Sequence, residues 1–451
     1  MIELLRRAAA EDAARAAIVT HELTVTHGDL ADAAERVATA LRREGVTRFA
    51  IADHDAEVVV ALFAGASAAG VEACQYPPDE PEVLGELRER FDHEIVVTSR
   101  DDLGSIGARI VRPTDWTRGE RGQPVEPGSA RPHLVLTTGT TGKPRGVRHD
   151  WERLLRSTAR IKPAAGERWL LAYGLHQFAG LQILLHVFAA GATLVAPAPR
   201  RPREGLAAMR ELGVTHASAT PTYWRFLLAE LGSDGGPVPE LEQITLGGEA
   251  IPGPLIGQLR DTFPDANISQ VYAASEFGST GSMKDGRAGL STDVLERVND
   301  DVAMKIVDGE LWIRSRSGML GYYGEPPIEA DGWRATGDLV EVEGDRILFR
   351  GRTSEIINVG GVKVHPLPIE ELVSAVPGVA MARVYGRKNP MTGAIVALEV
   401  VAAPGVDRDS LDAAIRQACA DLPAAARPRS IRYVDDVATS GSKIVRRSAD
   451  E

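Results

Sequence analysis

Short β-like runs alternate with helix-length apolar stretches along the first part of the chain, and that alternation restricts the fold more than any other feature. At Thr26 the sequence Thr-His-Gly-Asp sets a hydroxyl cap three residues ahead of an acid. Leu30, Ala33, Ala34, Val37, Ala40 and Leu41 then follow at helical spacing until Gly45, which predicts an amphipathic helix. A strand-like run at 49–52, an apolar helix over 58–69 and a strand-like run at 94–98 continue the alternation, the pattern of a parallel sheet covered by helices. Gly/Pro-rich polar residues at 117–132 separate this part from the apolar run 134–136. A long apolar stretch fills 169–196, and 214–230 reads as strand then helix. Near 309–313 the pattern changes to short alternating strands, a β-rich subdomain closing the large unit. After Gly351-Arg352 the order is helix (366–376), strand (380–385), strand (394–401), helix (410–421) and strand (430–434), which fits a small α+β domain.

A chain of 451 residues exceeds one ordinary hydrophobic core, so at least two packed units are expected. With 44% hydrophobic and 25% charged residues it has the composition of a globular protein, and no apolar run is long enough to span a bilayer. The net charge of −12, without a Lys/Arg block, argues against a nucleic-acid partner. Cys74 and Cys419 stand far apart, so neither a disulfide framework nor a zinc site is expected; this points to a reducing, cytoplasmic setting. Residues 1–7 read as a short amphipathic helix without the apolar core of a secretion signal, and no export is expected.

Directly after the apolar run 134–136 comes Thr137-Thr138-Gly139-Thr140-Thr141-Gly142-Lys143-Pro144-Arg145-Gly146-Val147. Its glycines let backbone N–H groups approach anionic oxygens, while the hydroxyls, Lys143 and Arg145 add donors and positive charge: a cradle for phosphates. Pro144 after Lys143 rules out a Walker A loop.

This loop resembles the signature Thr-Ser-Gly-Thr-Thr-Gly-x-Pro-Lys-Gly of the adenylate-forming superfamily of acyl-CoA synthetases, peptide-synthetase adenylation domains and luciferases. Thr138 stands for its Ser and Arg145 for its Lys. Further segments are similar to that family's motifs, in order. Gly247-Gly248-Glu249-Ala250 resembles the Gly-Gly-Glu segment lining the adenine and acyl pockets. Tyr272-Ala273-Ala274-Ser275-Glu276 resembles Tyr-Gly-x-Thr-Glu, implying that Tyr272 stacks on adenine, Ser275 holds the α-phosphate and Glu276 binds Mg²⁺. Asp338 and Arg352 resemble the ribose-binding pair, and a vicinal diol does need an acceptor able to take two hydrogen bonds. Gly360-Gly361 is similar to the stretch lining the pantetheine tunnel of CoA ligases, and Lys443 in Thr439-Ser440-Gly441-Ser442-Lys443 to the adenylation lysine.

The resemblance implies a large N-terminal domain (1–351) of stacked α/β sheets with the β-rich subdomain, a hinge (352–355) at Ser354, and a mobile α+β C-terminal domain (356–451). Ser354, Ser442 and Ala273 depart from the family's Asp or Lys, Gly and Gly. It implies ATP and Mg²⁺ as cofactors, a carboxylic acid substrate, and coenzyme A or a carrier protein's phosphopantetheine as acceptor, in a monomer or homodimer. Amino-acid activators of this family place an Asp near 173–181; here His176 and Gln177 stand there with no acid, which disfavours an α-amino acid, while Gln177 with Phe178, Tyr223 and Tyr272 favours an aryl or short acyl one. An amine acceptor, giving an amide synthetase, and a non-catalytic nucleotide-binding homologue are the alternatives.

Overall fold

The computed structural model describes residues 1–137, 144–198, 200–297, 301–329, 332–403, 405–440, 443, 444 and 446. The cap at Thr26 forms as the sequence predicts. Its hydroxyl accepts from the Asp29 N–H while the Asp29 carboxylate accepts from the Thr26 N–H, and the helix His27–Arg43 starts there. Such a cap stabilises a helix by about 1 kcal/mol. The helix packs on Ala56–Ala69 at a close approach: a Cβ on Gly65 would stand 2.5 Å from Val37 Cγ1 and 2.9 Å from the Ala34 carbonyl oxygen.

Two sheets enclose this layer. In the first, parallel strands Asn267–Ala274, Gln243–Gly247, His216–Ala219, Arg168–Leu171, Thr193–Val195 and Ala16–Val19 lie side by side, with antiparallel strands Gly278–Met283 and Thr24–Thr26 at its edges. In the second, Pro132–Thr137, Glu72–Gln75, Arg48–Ile51, Ile95–Val97 and Arg109–Val111 run parallel, and Arg145–Asp150 and Gly321–Tyr322 add antiparallel strands. The apolar stretch 169–196 resolves into strand, helix Phe178–Ala190 and strand, with Gly191 ending the helix in the left-handed region. A helix buried on all sides has no polar face, so its period is invisible in sequence. This helix and Ala56–Ala69 share one core with Phe49, Ile51 and Val135 of one sheet and Ile18, Leu171 and Leu194 of the other.

The β-rich part is a five-stranded antiparallel sheet from Leu290–Ser291 to Arg346–Arg352, with a core that includes Leu311, Ile313 and Ile347. Beyond it, the hairpin Ile357–Val359/Val362–Val364 and strands Val379–Asn389, Gly393–Ala402 and Ser430–Tyr433 carry helices Pro366–Ser374 and Arg408–Ala418. This smaller α+β unit has its own core around Val373, Val384, Leu398 and Ile415. Among the described residues, no helix is long and apolar enough to cross a membrane.

Candidate active site

Open parallel sheets gather ligands at the carboxyl ends of their strands. The first sheet carries three of the expected segments there: Tyr173–Gln177 after Arg168–Leu171, Gly247–Ala250 at the end of Gln243–Gly247, and Tyr272–Glu276 at the end of Asn267–Ala274. Gly248 has φ +83, a backbone that favours glycine at the turn off the strand.

Tyr272, Asp338 and Arg352 come together although 80 residues of chain separate the first from the last. The Tyr272 hydroxyl donates to Asp338 Oδ2 at 2.5 Å, and Arg352 Nε donates to Asp338 Oδ1 at 3.0 Å. Asp338 and Arg352 face each other across adjacent antiparallel strands, which fixes the pair. Burial, and then the Asp338 carboxylate, push the Tyr272 phenol well above its ordinary pKa, while Asp338 raises that of Arg352. Phe349 stacks on the Tyr272 ring at 5.0 Å between centroids. No sequence motif marked Phe349; it comes in by alternation along Arg346–Arg352.

Glu276 lies at the other end of this segment, where its Oε1 accepts from the Tyr322 hydroxyl at 3.1 Å. Burial, and then Glu276, push that phenol up to about 12. The Arg145 guanidinium covers the Tyr322 ring at 3.4 Å and pairs with Glu325 at 2.7 Å. The end of the phosphate-type loop thus sits beside Glu276. Thr137 is the last residue of its strand, its hydroxyl 3.4 Å from the Arg145 carbonyl oxygen, whereas Thr138, Gly139, Thr140, Thr141, Gly142 and Lys143 lie outside the described residues. Behind Ser275 stands the buried His149, stacked on Phe178 at 5.2 Å and driven down to about 3 by burial. The Ser275 backbone faces its ring without completing a full hydrogen bond. Among the described residues, no group of three or more His, Cys, Asp or Glu side chains could hold a metal ion. A single carboxylate such as Glu276 suits Mg²⁺, which keeps waters and phosphate oxygens as its remaining ligands.

Glu249 joins the helix Pro221–Asp234 to the C-terminal tail. Its Oε2 accepts from the Thr222 N–H (3.0 Å) and hydroxyl (2.7 Å) at the start of helix Pro221–Asp234, while Oε1 accepts from the Ile444 N–H at 3.0 Å. Ile444 follows Lys443 in the strand Lys443–Ile444, which pairs with Thr439–Ser440. The Lys443 side chain, Gly441 and Ser442 lie outside the described residues. Two positions on, Arg446 donates twice to the buried Glu370 (Nε at 3.0 Å, Nη2 at 2.7 Å) and lies 3.6 Å from Glu355. Burial opposes its charge, yet Glu370 raises its pKa above the ordinary value. Ala250 lines a cleft of about 170 Å³ with Ile251, Phe349 and Glu371.

On the other side of the expected acid pocket, the Tyr173 hydroxyl donates to the Gly247 carbonyl at 3.4 Å. Gln177 turns into its own loop, accepting from the Gly174 N–H at 3.1 Å, and the His176 ring lies against Gly174. Gly360 and Gly361 form the exposed hairpin turn with φ +58 and +89, held by Gly360 N–H to the Thr392 carbonyl (2.8 Å) and Gly361 N–H to Asn358 (2.9 Å). Ser354 is exposed in the short turn Thr353–Glu355. Among the described residues, neither segment hydrogen-bonds to Tyr272, Glu276 or Glu249.

Residues 5–323 match the AMP-binding enzyme family and residues 368–443 match the AMP-binding enzyme C-terminal domain. The chain is 29% identical to the fatty acid–[acyl-carrier-protein] ligase ScoC of Streptomyces coeruleorubidus, over 60% of this chain and 57% of that protein. It is 30% identical to the 2-succinylbenzoate–CoA ligase of Escherichia coli, over 54% of this chain and 53% of that protein. The matches thus span less than two thirds of these curated relatives. In fold it resembles the anthranilate CoA ligase AuaEII solved with anthranoyl-AMP (TM-score 0.84, 20% identity, 98% of this chain and 95% of that one). It also resembles the o-succinylbenzoate CoA synthetase of Bacillus subtilis solved with its acyl-adenylate (TM-score 0.79, 21% identity, 98% and 96%). With both family domains matched in order, the first over residues 5–323 and the second over 368–443, the chain belongs to the AMP-binding enzyme family.

Proposed function

We propose that this protein is an ATP-dependent acid–thiol ligase, which converts a carboxylic acid to an acyl-AMP and then passes the acyl group to the thiol of coenzyme A or of a carrier protein's phosphopantetheine. One observation carries the reading: a carboxylate–guanidinium pair fit for a ribose, a stacking phenol and a lone carboxylate stand at one strand end, and the tail bearing Lys443 docks beside them through Ile444 and Glu249.

In the first step a carboxylate oxygen of the acid attacks the α-phosphorus of ATP and pyrophosphate leaves. Two anions must be held together while charge spreads over the phosphoryl oxygens, so oriented donors and cations do the work. Asp338 and Arg352 hold the ribose, Tyr272 the base, Ser275 the α-phosphate, and the loop from Thr137 to Gly142 the leaving pyrophosphate. Lys443 bridges the acid carboxylate and the α-phosphate. Glu276 would hold Mg²⁺, which supplies positive charge to the phosphates. In the second step the thiolate attacks the acyl carbon, the C–O bond to AMP breaks, and AMP leaves with its phosphate charge. This step needs the Gly360-Gly361 face near the adenylate in place of Lys443, and Ser354 is the hinge about which residues 356–451 turn. Gly247, His176 and Gln177 border the acid, an aryl or short acyl one.

A panel of aryl and short acyl acids assayed for ATP- and Mg²⁺-dependent pyrophosphate release, first without acceptor and then with coenzyme A or a phosphopantetheinylated carrier, tests the reading. Acid-dependent release followed by thioester formation is expected; ATP turnover indifferent to any acid would overturn it.

A further inference from the structure

Three polar side chains that the reaction above does not use, His54, Gln75 and Arg200, gather near His176 where the carboxyl ends of both sheets converge. His54 follows strand Arg48–Ile51, Gln75 ends Glu72–Gln75, His176 follows Arg168–Leu171, and Arg200 follows Thr193–Val195. Arg200 Nη2 donates to the His54 carbonyl at 2.6 Å. Gln75 Nε2 donates to the Asp53 carbonyl at 2.6 Å and lies 3.4 Å from His54 Nδ1. Three buried atoms of this group have no protein partner: Arg200 Nε, His176 Nδ1 and Gln75 Oε1. Burial, and then Arg200, drive His54 down to about 4; burial, followed by His54 and Arg200, does the same to His176, so both rings are neutral.

Unmade hydrogen bonds in a buried group cost about 1–3 kcal/mol each, so a ligand that completes them gains what the apo cluster lacks. The acids nearby do not complete them. Asp53 accepts from the Asp55 and Ser99 N–H groups, and neither it nor Asp55 nor Glu57 forms an ion pair with Arg200 within 4 Å among the described residues.

We propose that Arg200, His176 and Gln75 hold an oxygen-bearing polar group at the end of the acid remote from its reacting carboxylate, making this enzyme selective for acids with a polar far end over plain alkyl or unsubstituted aryl acids. The inference rests on the acid-activating reading and on His176 bordering the acid. A far-end carboxylate and a far-end hydroxyl both offer oxygen lone pairs to the guanidinium, and the hydroxyl can in addition donate to Gln75 Oε1.

The test is pyrophosphate release without acceptor, comparing hexanoate with adipate and 6-hydroxyhexanoate, and benzoate with isophthalate and 3-hydroxybenzoate, for the native chain, Arg200→Met and Gln75→Leu. The native chain is expected to favour a polar-ended acid in kcat/KM by at least about tenfold, with the diacid and hydroxy-acid arms telling which oxygen group is read. Arg200→Met should lower that value roughly ten- to a hundredfold and leave the unsubstituted acid within about threefold; Gln75→Leu should do so more weakly, and reports independently should the Arg200 variant fail to fold. A preference of the native chain for hexanoate and benzoate would overturn the inference, as would equal losses on both acid types. A defect confined to the later thiol step would overturn it too. Release with hexanoate or benzoate alone leaves the ligase reading standing while sinking this one; release with no acid at all would sink both.

Discussion

Replacing Asp338 with alanine removes the one carboxylate that both Tyr272 and Arg352 address. Each of its oxygens is engaged once by protein, at 2.5 and 3.0 Å, and each keeps a lone pair, which is what a vicinal diol requires. A hydrogen bond to a charged acceptor contributes about 1.5–3 kcal/mol, so one ribose hydroxyl lost from Asp338 corresponds to roughly ten- to a hundredfold in kcat/KM for ATP. The substitution also strands the Tyr272 hydroxyl and Arg352, and a fall with ATP alone does not isolate the ribose contact. The decisive measurement is a cycle in which native chain and Asp338→Ala are each assayed for pyrophosphate release with ATP and with 2′-deoxy-ATP. The native chain should discriminate against the deoxy nucleotide by about tenfold or more, and the variant by little. Equal discrimination in both would refute the assignment of Asp338 to the ribose.

Lys443→Ala should abolish acid-dependent pyrophosphate release while a supplied acyl-adenylate is still consumed with thiol; equal loss of both would contradict its assignment to the first step. Ile444→Pro removes the N–H that Glu249 accepts, and should slow adenylation while leaving the melting temperature within a degree or two; unchanged adenylation would show the tail docks by other means. Gly65→Ala should destabilise by about 1–3 kcal/mol in urea unfolding, despite alanine's better helix propensity, because the added Cβ meets Val37 and a backbone oxygen; a stabilised variant would refute the close approach. The buried His133 and His149 titrate near 3, against an ordinary 6.5, because burial disfavours their charge. The unfolded chain therefore binds their protons first, and stability should fall as pH drops below 6.5, by up to about 1.4 kcal/mol per histidine per pH unit until pH nears 3. Urea midpoints at pH 7 and 5 read this, and His133→Phe should flatten the slope.

Motifs made of backbone-shaping residues were the most legible in sequence. The cap at Thr26 and Asp29, and glycines such as Gly248 and Gly361, announce a local conformation that no distant residue can alter. Partners that arrive from elsewhere in the chain left no such mark. Tyr322 reaches Glu276 from 46 residues away, and neither its spacing nor its neighbours distinguish it from a core tyrosine. Phe349 under Tyr272 and His149 behind Ser275 are equally silent, since alternation along a strand tells which side a residue faces, not what it will meet. Arg145 was legible as a phosphate-loop cation, but its contacts with Tyr322 and Glu325 were not. The apolar stretch 169–196 concealed a helix because both of its flanking strands and the helix itself are buried.

The meeting of strand ends at His54, Gln75, His176 and Arg200 bears on how such a protein can change. These side chains stand at or just past the last rung of their ladders, and only Gln75 belongs to a strand. Exchanging them alters which acid is welcome without disturbing strand register or the helices sandwiched between the sheets. Selectivity can therefore wander among descendants of one scaffold at little expense in folding, while Asp338, Arg352 and Glu249, tied to more than one element each, stay fixed.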